Sequence, residues 1–174
     1  MIYWFTGQPG AGKTVLAKAL QDRLEWMRRD VFHIDGDDLR DALNQRASYD
    51  QSDREKLALS YARLSHLIAS QGPTVVISSI GLYSGVQSWM RENIDCYVEV
   101  FLDASMELLI SRDSRGIYSR SVSESGPVVG KDFSPQFPGN PELHLVIDGS
   151  MSVDVCGDAV LLAFEKVKQE RGAK

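Results

Sequence analysis

Several features that would assign a protein to a common functional class are scarce in this 174-residue chain. It contains two cysteines, Cys96 and Cys156, and no cysteine or histidine pair has the spacing of a zinc site. No apolar run approaches the roughly 18 residues that a membrane-spanning helix requires. The N-terminus lacks the basic segment of a secretory signal peptide. These absences predict a cytoplasmic protein with reduced thiols and no attachment to a membrane.

Positive charge is also in short supply, since 19 Lys and Arg residues face 24 Asp and Glu residues and the net charge is −5. Binding to a nucleic acid polymer or to an anionic membrane depends on neutralising many phosphates with surplus cations. The charge balance therefore excludes a general affinity for either partner and leaves room for a small anionic ligand. The length and the 43% hydrophobic content are those of one globular domain, so residues 1–174 are predicted to form a single domain.

Apolar runs that predict strands alternate with helical patterns along the chain. The predicted strands are Met1–Thr6, Val31–Ile34, Thr74–Ser78, Tyr97–Leu102 and Leu143–Ile147. Apolar residues recur at helical spacing over 13–28, 53–71 and 105–112 and again after residue 153. This alternation predicts an α/β fold with a five-stranded parallel sheet and helices on both faces.

One long segment, residues 113–141, interrupts the alternation. It contains four glycines and four prolines and shows no sustained periodicity. Segments of this length without regular structure are usually either disordered or functional lids. Because this segment lies between two predicted strands and carries Arg115, Arg120 and Lys131, we favour a mobile lid.

A phosphate-binding pattern lies between the first predicted strand and the first helix. Residues 7–14, Gly-Gln-Pro-Gly-Ala-Gly-Lys-Thr, match GxxxxGK[ST], a pattern whose backbone N–H groups surround phosphate oxygens beside a helix N-terminus. Lys13 is expected to reach the β- and γ-phosphates and to be solvated without ligand, and Thr14 is expected to bind Mg²⁺. The predicted phosphate-binding residues are Gly7, Gln8, Pro9, Gly10, Ala11, Gly12, Lys13 and Thr14.

The phosphate-binding loop predicts a nucleoside triphosphate but not the reaction. The chain lacks the NKxD of regulatory GTPases and the LSGGQ of ABC-type ATPases. Its small size and the basic lid favour a kinase of a small molecule. A nucleotide-binding regulator without turnover is the alternative from another functional class, and Asp35 beside an intact loop argues against it.

The second predicted strand ends in a run of acidic residues, Ile-Asp-Gly-Asp-Asp-Leu-Arg at 34–40. In a parallel sheet this end of the strand opens at the ligand crevice, beside the phosphate-binding loop. Asp35 is therefore expected to take the proton from an attacking hydroxyl or to orient Mg²⁺. Gly36 is expected to leave room for substrate, and Asp38 to cap the following helix.

These residues and a series of later motifs resemble the adenylylsulfate kinase family. The later motifs are Leu-Asn at 43–44 leading to Asp-Arg-Glu at 53–55, Val-Glu-Val-Phe-Leu-Asp at 98–103, Arg-Asp-Ser-Arg-Gly-Ile-Tyr at 112–118 and Asn-Pro-Glu-Leu at 140–143. The resemblance extends over residues 3–147. It implies a P-loop kinase fold, Mg-ATP as the phosphate donor, the 3′-hydroxyl of adenosine 5′-phosphosulfate as the acceptor, and a homodimer.

The resemblance also implies roles for individual residues. Lys13 and Asp35 are the implied catalytic residues, Thr14 and Asp35 the implied metal ligands, and Arg112 and Arg115 contacts on the ATP and lid side. The implied acceptor-binding residues are Asp37, Arg40, Tyr49, Arg54, Ile80, Gly81, Val128 and Lys131. Among them, the two arginines would hold the phosphate and sulfate groups, and the tyrosine would stack on the base.

Three departures from the family pattern lie around the acceptor. Leu57 and Leu59 stand where the family usually has asparagine and arginine. Gly81 replaces a serine that is sometimes described as phosphorylated, and Val-Val-Gly at 128–130 replaces a Phe-Thr-Gly whose ring covers the acceptor adenine. A branch with a similar Val-Val-Gly phosphorylates cytidine diphosphoramidate, and a smaller pyrimidine would need less stacking surface. Adenosine phosphosulfate remains the leading acceptor, with the cytidine compound as the alternative.

Overall fold

The structure is a computed structural model that describes residues 1–44, 51–114, 116–120, 127–132, 134–150 and 152–172. Tyr49 and Arg115 lie outside the described residues. The strands are β1 Ile2–Gly7, β2 Val31–Asp35, β3 Thr74–Ser78, β4 Tyr97–Ala104 and β5 Leu143–Ile147. The helices are α1 Lys13–Trp26, α2 Gly36–Ala42, α3 Gln51–Ala69, α4 Ser84–Asn93, α5 Met106–Ser111 and α6 Val153–Gly172.

The five strands form one parallel sheet in the order β2-β3-β1-β4-β5. The central strand β1 pairs with β3 on one side and with β4 on the other, and all six of its residues are buried. Such continuous burial is characteristic of a strand that is covered on both faces. The predicted five-stranded parallel sheet is confirmed.

Helices cover both faces of this sheet, as predicted. Since successive side chains of a strand point to opposite faces, Tyr3 and Phe5 of β1 pack in one core with residues of α1 and α6. Ile2 and Trp4 pack in a second core with residues of α3 and α4. The phosphate-binding loop and the ends of β2 and β3 are thereby held between two packed layers.

The sequence predicted a helix beginning after Asp38 without giving its bounds, and it did not identify α4. The short helix α2 begins directly after β2, and its N-cap is Asp35, whose Oδ1 accepts a hydrogen bond from the backbone N–H of Asp37 at 2.8 Å. The expectation that Asp38 caps this helix is therefore wrong. Asp38 instead lies in the first turn, where a negative charge is favoured by the helix dipole.

The described parts of the 113–141 segment are attached to the body of the protein. Tyr118, Val128 and Val129 are buried, with exposed fractions of 9%, 6% and 1%. The Tyr118 hydroxyl donates to the backbone oxygen of Pro9 at 2.7 Å, which ties the segment to the phosphate-binding loop. Mobility of this segment stays a prediction. In the part of the chain that the structure describes, no helix is both long and apolar enough to cross a bilayer.

Candidate active site

The loop between β1 and α1 has the backbone conformation that phosphate binding requires. Gly10 and Gly12 have φ angles of 81° and 96°, in the left-handed region that other residues avoid. Gly7 has no side chain for a different reason: a Cβ there would lie 2.7 Å from the backbone oxygen of Leu102 in the neighbouring strand. These glycines explain how a sharply turned loop fits directly between the central strand and α1.

Lys13 points back into this loop. Its Nζ donates hydrogen bonds to the backbone oxygens of Gly7 at 2.9 Å and Gln8 at 2.8 Å. The expectation that this ammonium is solvated without ligand is therefore wrong. Burial lowers the pKa of Lys13 to about 8, although the nearby Asp35 carboxylate acts in the opposite direction. The ammonium can exchange these carbonyl partners for phosphate oxygens when a nucleotide binds.

The two predicted metal ligands, Thr14 and Asp35, are in direct contact. The Thr14 hydroxyl donates to Asp35 Oδ2 at 2.7 Å. Hydroxyl and carboxylate oxygens suit Mg²⁺, which is commonly held by one or two carboxylates together with substrate phosphates. Within the described ranges, no group of three or more His, Cys, Asp or Glu side chains could hold a metal ion. The hydroxyl and carboxylate oxygens of Thr14 and Asp35 fit a magnesium ion, which these two residues would hold.

Asp35 also contacts the end of the adjacent strand. Asp35 and Ser78 are register partners across β2 and β3, and the Ser78 hydroxyl donates to Asp35 Oδ2 at 2.8 Å. The carboxylate thus accepts hydrogen bonds from Thr14, Ser78 and the backbone of Asp37. Three donors from three different elements hold it in one orientation at the carboxyl ends of the strands.

The glycine after Asp35 serves a packing role. A Cβ on Gly36 would lie 2.9 Å from Cβ of Ser79 and 3.4 Å from the backbone oxygen of Ser78. The expectation that Gly36 leaves room for substrate is therefore wrong, because Ser79 already occupies that space. Gly36 instead allows the start of α2 to approach the end of β3.

Two predicted acceptor-binding arginines lie near one tyrosine hydroxyl. Burial and the charge of Glu55 raise the pKa of Tyr83, whereas the charges of Arg54 on α3 and Arg40 on α2 lower it. Arg40 also forms an ion pair with Asp37, another predicted acceptor-binding residue. Arg54 and Arg40 therefore both act on the Tyr83 hydroxyl, next to the negative charges of Glu55 and Asp37.

The remaining predicted acceptor residues lie in packed surroundings. Ile80 packs against the cluster of Leu82, Phe101 and Val129. Gly81 has φ 57°, and a Cβ there would lie 2.8 Å from Cγ2 of Thr6. Both residues belong to the loop that follows β3, where Ile80 packs against the core and Gly81 has no space for a side chain.

Val128 and Lys131 belong to the lid segment. Val128 is packed in the same core as α1 and α6, and the Lys131 ammonium donates to the backbone oxygen of Arg120 at 2.7 Å. On the ATP side, the exposed Arg112 lies against Gly149 in the segment after β5. A Cβ added to Gly149 would lie 3.3 Å from Arg112 Nη2. Direct substrate contacts of these three residues stay predictions.

Sequence reasoning missed two residues beside Asp35, namely Ser78 and His33. His33 Nε2 lies 3.2 Å from Ser78 Oγ. The signal was present in the strand pattern, because His33 and Asp35 are two residues apart and therefore share one face of β2. What the sequence alone could not show was the register that places Ser78 opposite Asp35.

Comparisons with known proteins identify the family of this chain. The family model described as adenylylsulphate kinase matches residues 1–146. A cytidine diphosphoramidate kinase of Campylobacter jejuni is 33% identical over 150 residues, which cover 86% of each chain. An adenylyl-sulfate kinase of Chloroflexus aurantiacus is 32% identical over 168 residues, covering 96% of this chain and 90% of the relative.

Among solved structures, the APS kinase CysC of Mycobacterium tuberculosis in complex with AMPPNP and APS superposes with a TM-score of 0.84. It is 27% identical, and the match covers 94% of this chain and 96% of that one. The fold is thus that of a P-loop kinase, as the resemblance implied. With the family match over residues 1–146 and two relatives above 30% identity, the chain belongs to the adenylylsulphate kinase family.

Proposed function

We propose that this protein is an ATP-dependent kinase that transfers the γ-phosphate to the ribose 3′-hydroxyl of adenosine 5′-phosphosulfate. The observation that carries the proposal is the contact between Thr14 and Asp35 at 2.7 Å, next to the loop that holds Lys13. A phosphate-binding lysine, a metal-binding hydroxyl and a carboxylate at the end of the adjacent strand are the groups that phosphoryl transfer requires.

On the donor side, Lys13 would bind the β- and γ-phosphates in place of the backbone oxygens of Gly7 and Gln8. Thr14 and Asp35 would hold Mg²⁺, which supplies charge neutralisation for the phosphates when it is bound. Desolvation strengthens the attraction between an ammonium and phosphate oxygens, so the half-buried position of Lys13 favours tight binding of the protonated form.

Asp35 would also accept the proton of the attacking hydroxyl. Its Oδ2 accepts hydrogen bonds from Thr14 and Ser78, whereas Oδ1 accepts one from the backbone of Asp37. A carboxylate oxygen has two lone pairs. Oδ1 therefore has one lone pair left to accept the proton. The hydrogen bond from the backbone N–H of Asp37, at the N-terminus of α2, orients this oxygen.

On the acceptor side, Arg40 and Arg54 would bind the phosphate and sulfate groups. Guanidinium groups pair well with such anions because their N–H donors form two parallel hydrogen bonds. Both charges act on the Tyr83 hydroxyl, which supports a shared position for them beside the crevice. The names of the Chloroflexus relative and of the Mycobacterium structure support adenosine phosphosulfate as the acceptor.

A cytidine diphosphate derivative is the second candidate acceptor. The Campylobacter relative named cytidine diphosphoramidate kinase matches this chain at 33% identity, as well as the adenylyl-sulfate kinases do. Leu57 and Leu59 pack against the core and offer no polar contact, and Val128 is buried. A smaller base that needs fewer polar contacts and less stacking would suit these three positions.

Three further parts of the proposal come from the sequence and the family resemblance. Bound Mg²⁺ is supported by the oxygen donors of Thr14 and Asp35. The homodimer and the cytoplasmic location stay predictions, to be measured by light scattering of the purified protein and by cell fractionation.

The test is transfer of label from γ-³²P-ATP to adenosine phosphosulfate in the presence of Mg²⁺. We expect labelled 3′-phosphorylated nucleotide with the wild-type protein and none with Lys13→Ala. Binding of ATP without transfer to either the adenosine or the cytidine acceptor would contradict the proposal and favour a nucleotide-binding regulator.

A further inference from the structure

Asp35 is held from the side of β3 by a chain of two residues that the proposed reaction does not use. Ser78 ends β3 and is 3% exposed. Its hydroxyl donates to Asp35 Oδ2 at 2.8 Å and lies 3.2 Å from His33 Nε2. All three side chains lie on the sheet face that α1 covers, since Ser78 is the register partner of both Phe5 and Asp35. These contacts are therefore on the same side of the sheet as the helix that follows the phosphate-binding loop.

The direction of these hydrogen bonds follows from the number of protons. Ser78 has one hydroxyl proton and donates it to Asp35. The 3.2 Å contact with His33 is therefore a hydrogen bond in which Nε2–H donates to Ser78 Oγ. This arrangement places a proton on Nε2 of His33 and directs the serine hydroxyl toward the carboxylate.

The two hydroxyls that donate to Asp35 Oδ2 are expected to behave differently during turnover. Thr14 is the second residue of α1, is exposed, and is the expected ligand of Mg²⁺. Ser78 is buried and has protein partners on both sides. When the Thr14 oxygen binds the metal, Ser78 remains the side-chain donor to Asp35 Oδ2, and the backbone of Asp37 remains the donor to Oδ1.

We propose that Ser78 is a positioning residue that keeps the Asp35 carboxylate directed at Thr14 and the metal, and that His33 in turn holds the Ser78 hydroxyl in place. The inference rests on the proposed function, because it concerns the carboxylate to which that function assigns the proton and the metal. It adds two residues to the site, neither of which touches substrate.

The first test compares Ser78→Ala with Ser78→Thr, which retains the hydroxyl. Hydrogen bonds to charged groups are strong enough that removing this one is expected to lower kcat by about tenfold or more. The KM for ATP should change by less than about threefold, because Lys13 and the loop glycines are untouched. Ser78→Thr should restore most of the wild-type kcat.

The matched control is Ser65→Ala. Ser65 is a fully buried serine of α3 whose Oγ has no hydrogen-bond partner among the described residues. It should lose no activity. Equal losses of kcat in Ser65→Ala and Ser78→Ala would show that any buried serine matters for packing and would overturn the proposal.

The second test does not depend on turnover. Calorimetry measures binding of a non-hydrolysable ATP analogue, first in EDTA and then across a Mg²⁺ titration. Ser78→Ala should bind the analogue as the wild type does in EDTA and should need at least about threefold more Mg²⁺ for the metal-dependent gain in affinity. An unchanged Mg²⁺ requirement together with an unchanged kcat would overturn the proposal.

The third test uses His33, which is only partly buried, so its replacement should not prevent folding. We expect His33→Leu to lower kcat by about threefold or more and His33→Gln, which retains an N–H donor, to recover part of the loss. The control is His144→Leu, at an exposed histidine of β5 that hydrogen-bonds Asp103. Equal behaviour of His33→Leu and His144→Leu would overturn the role of His33.

These tests separate the inference from the proposed function. If the wild type transfers no phosphate to any acceptor, the proposed function fails. In that case the Mg²⁺ requirement of analogue binding still decides for or against Ser78.

Discussion

The donor side and the acceptor side of the crevice are built in different ways. The donor side consists of residues 7–14 and Asp35, and its geometry follows from glycine conformations and from the ends of two strands. The predicted acceptor side consists of residues 37–40, 54–59, 79–83 and 127–132, which come from four separate parts of the chain. On the donor side the predicted polar groups are in contact with one another, whereas on the acceptor side several predicted positions are part of the apolar core.

This difference has a physical reason. Binding of phosphates depends on backbone N–H groups, one ammonium and a metal ion, and these are the same for any nucleoside triphosphate. Recognition of the acceptor depends on side chains that match one particular base and its 5′ substituent. Leu57 and Leu59, which pack in the core with α3 and α4, can therefore replace polar residues without disturbing the donor side.

The largest expected effect is that of Lys13→Ala, which tests the donor side. Removing the ammonium should abolish measurable phosphoryl transfer and weaken ATP binding. The two hydrogen bonds that are lost end on backbone oxygens near the crevice, so the protein should remain folded. Transfer assays and circular dichroism measure the two effects, and a folded variant with near-normal transfer would refute the assignment of the loop.

The next largest effect is expected for Asp35, which the structure gives a second role as N-cap of α2. Asp35→Asn should lower kcat by about 10²–10⁴-fold, the usual contribution of a positioned base. Its remaining amide oxygen can still cap the helix. Asp35→Ala should lose the cap as well and reduce the free energy of unfolding by about 1 kcal/mol.

Asp38→Asn is the control for this pair, because Asp38 lies in the first turn of α2 and does not cap it. It should change kcat little. Denaturant titrations of all three variants separate stability from activity. Equal and slight losses of kcat in Asp35→Asn and Asp38→Asn would move the proposed proton acceptor to another residue.

On the acceptor side, Gly81→Ser restores the residue that the family usually has there. We expect it to reduce the free energy of unfolding by about 1–3 kcal/mol, because φ is 57° and a Cβ would lie 2.8 Å from Thr6 Cγ2 and 3.0 Å from Trp4 Nε1. Gly139→Ser is the matched control, since no atom lies within 4 Å of a Cβ there. Thermal unfolding that is equal for the two variants would show that the site can accept a serine.

The smallest expected effect is a proton taken up when ATP binds without metal. Burial lowers the pKa of Lys13 to about 8 in the free protein, and phosphate oxygens should raise it again. ATP affinity in EDTA should therefore fall as the pH rises above about 8. Between pH 8 and 10.5 the unfolded chain keeps this proton and the folded chain does not, so Lys13's contribution to the free energy of unfolding rises with pH.

Calorimetry in buffers of different ionisation enthalpy measures this uptake. Lys13→Ala provides the baseline for other groups. A wild-type protein that takes up no proton near pH 8.5 on binding ATP, where a pKa of about 8 leaves Lys13 mostly neutral, would contradict the lowered pKa.

The sequence predicted the sheet and the helices on both of its faces, because both depend on local hydrophobic patterns. Thr74–Ser78 and Leu143–Ile147 were predicted with the bounds that the structure has, since each is a short apolar run with clear ends. The contact between Thr14 and Asp35 agrees with the expectation that both bind one metal ion. A glycine-rich loop and the end of a parallel strand have few alternative arrangements.

What the sequence did not predict depends on tertiary contacts. The start and the length of helix α2 were not predicted, because it has seven residues, follows β2 without an intervening loop and shows no helical periodicity of its own. In α4 the buried apolar residues are only Val86 and Met90, too few for a recognisable stripe. Burial of Val128 could not be anticipated in a segment without periodicity, and the carbonyl partners of Lys13 depend on the folded loop.

The most direct measurement is a competition between the two acceptors. Adenosine phosphosulfate and cytidine diphosphoramidate are offered at equal concentration in one tube with limiting γ-³²P-ATP, so that the ratio of labelled products equals the ratio of the two kcat/KM values. We predict that most of the label appears in the 3′-phosphorylated adenosine compound. A tenfold excess of label in the cytidine product would contradict the proposed acceptor, and label in neither product would contradict the assignment as a kinase of these nucleotides.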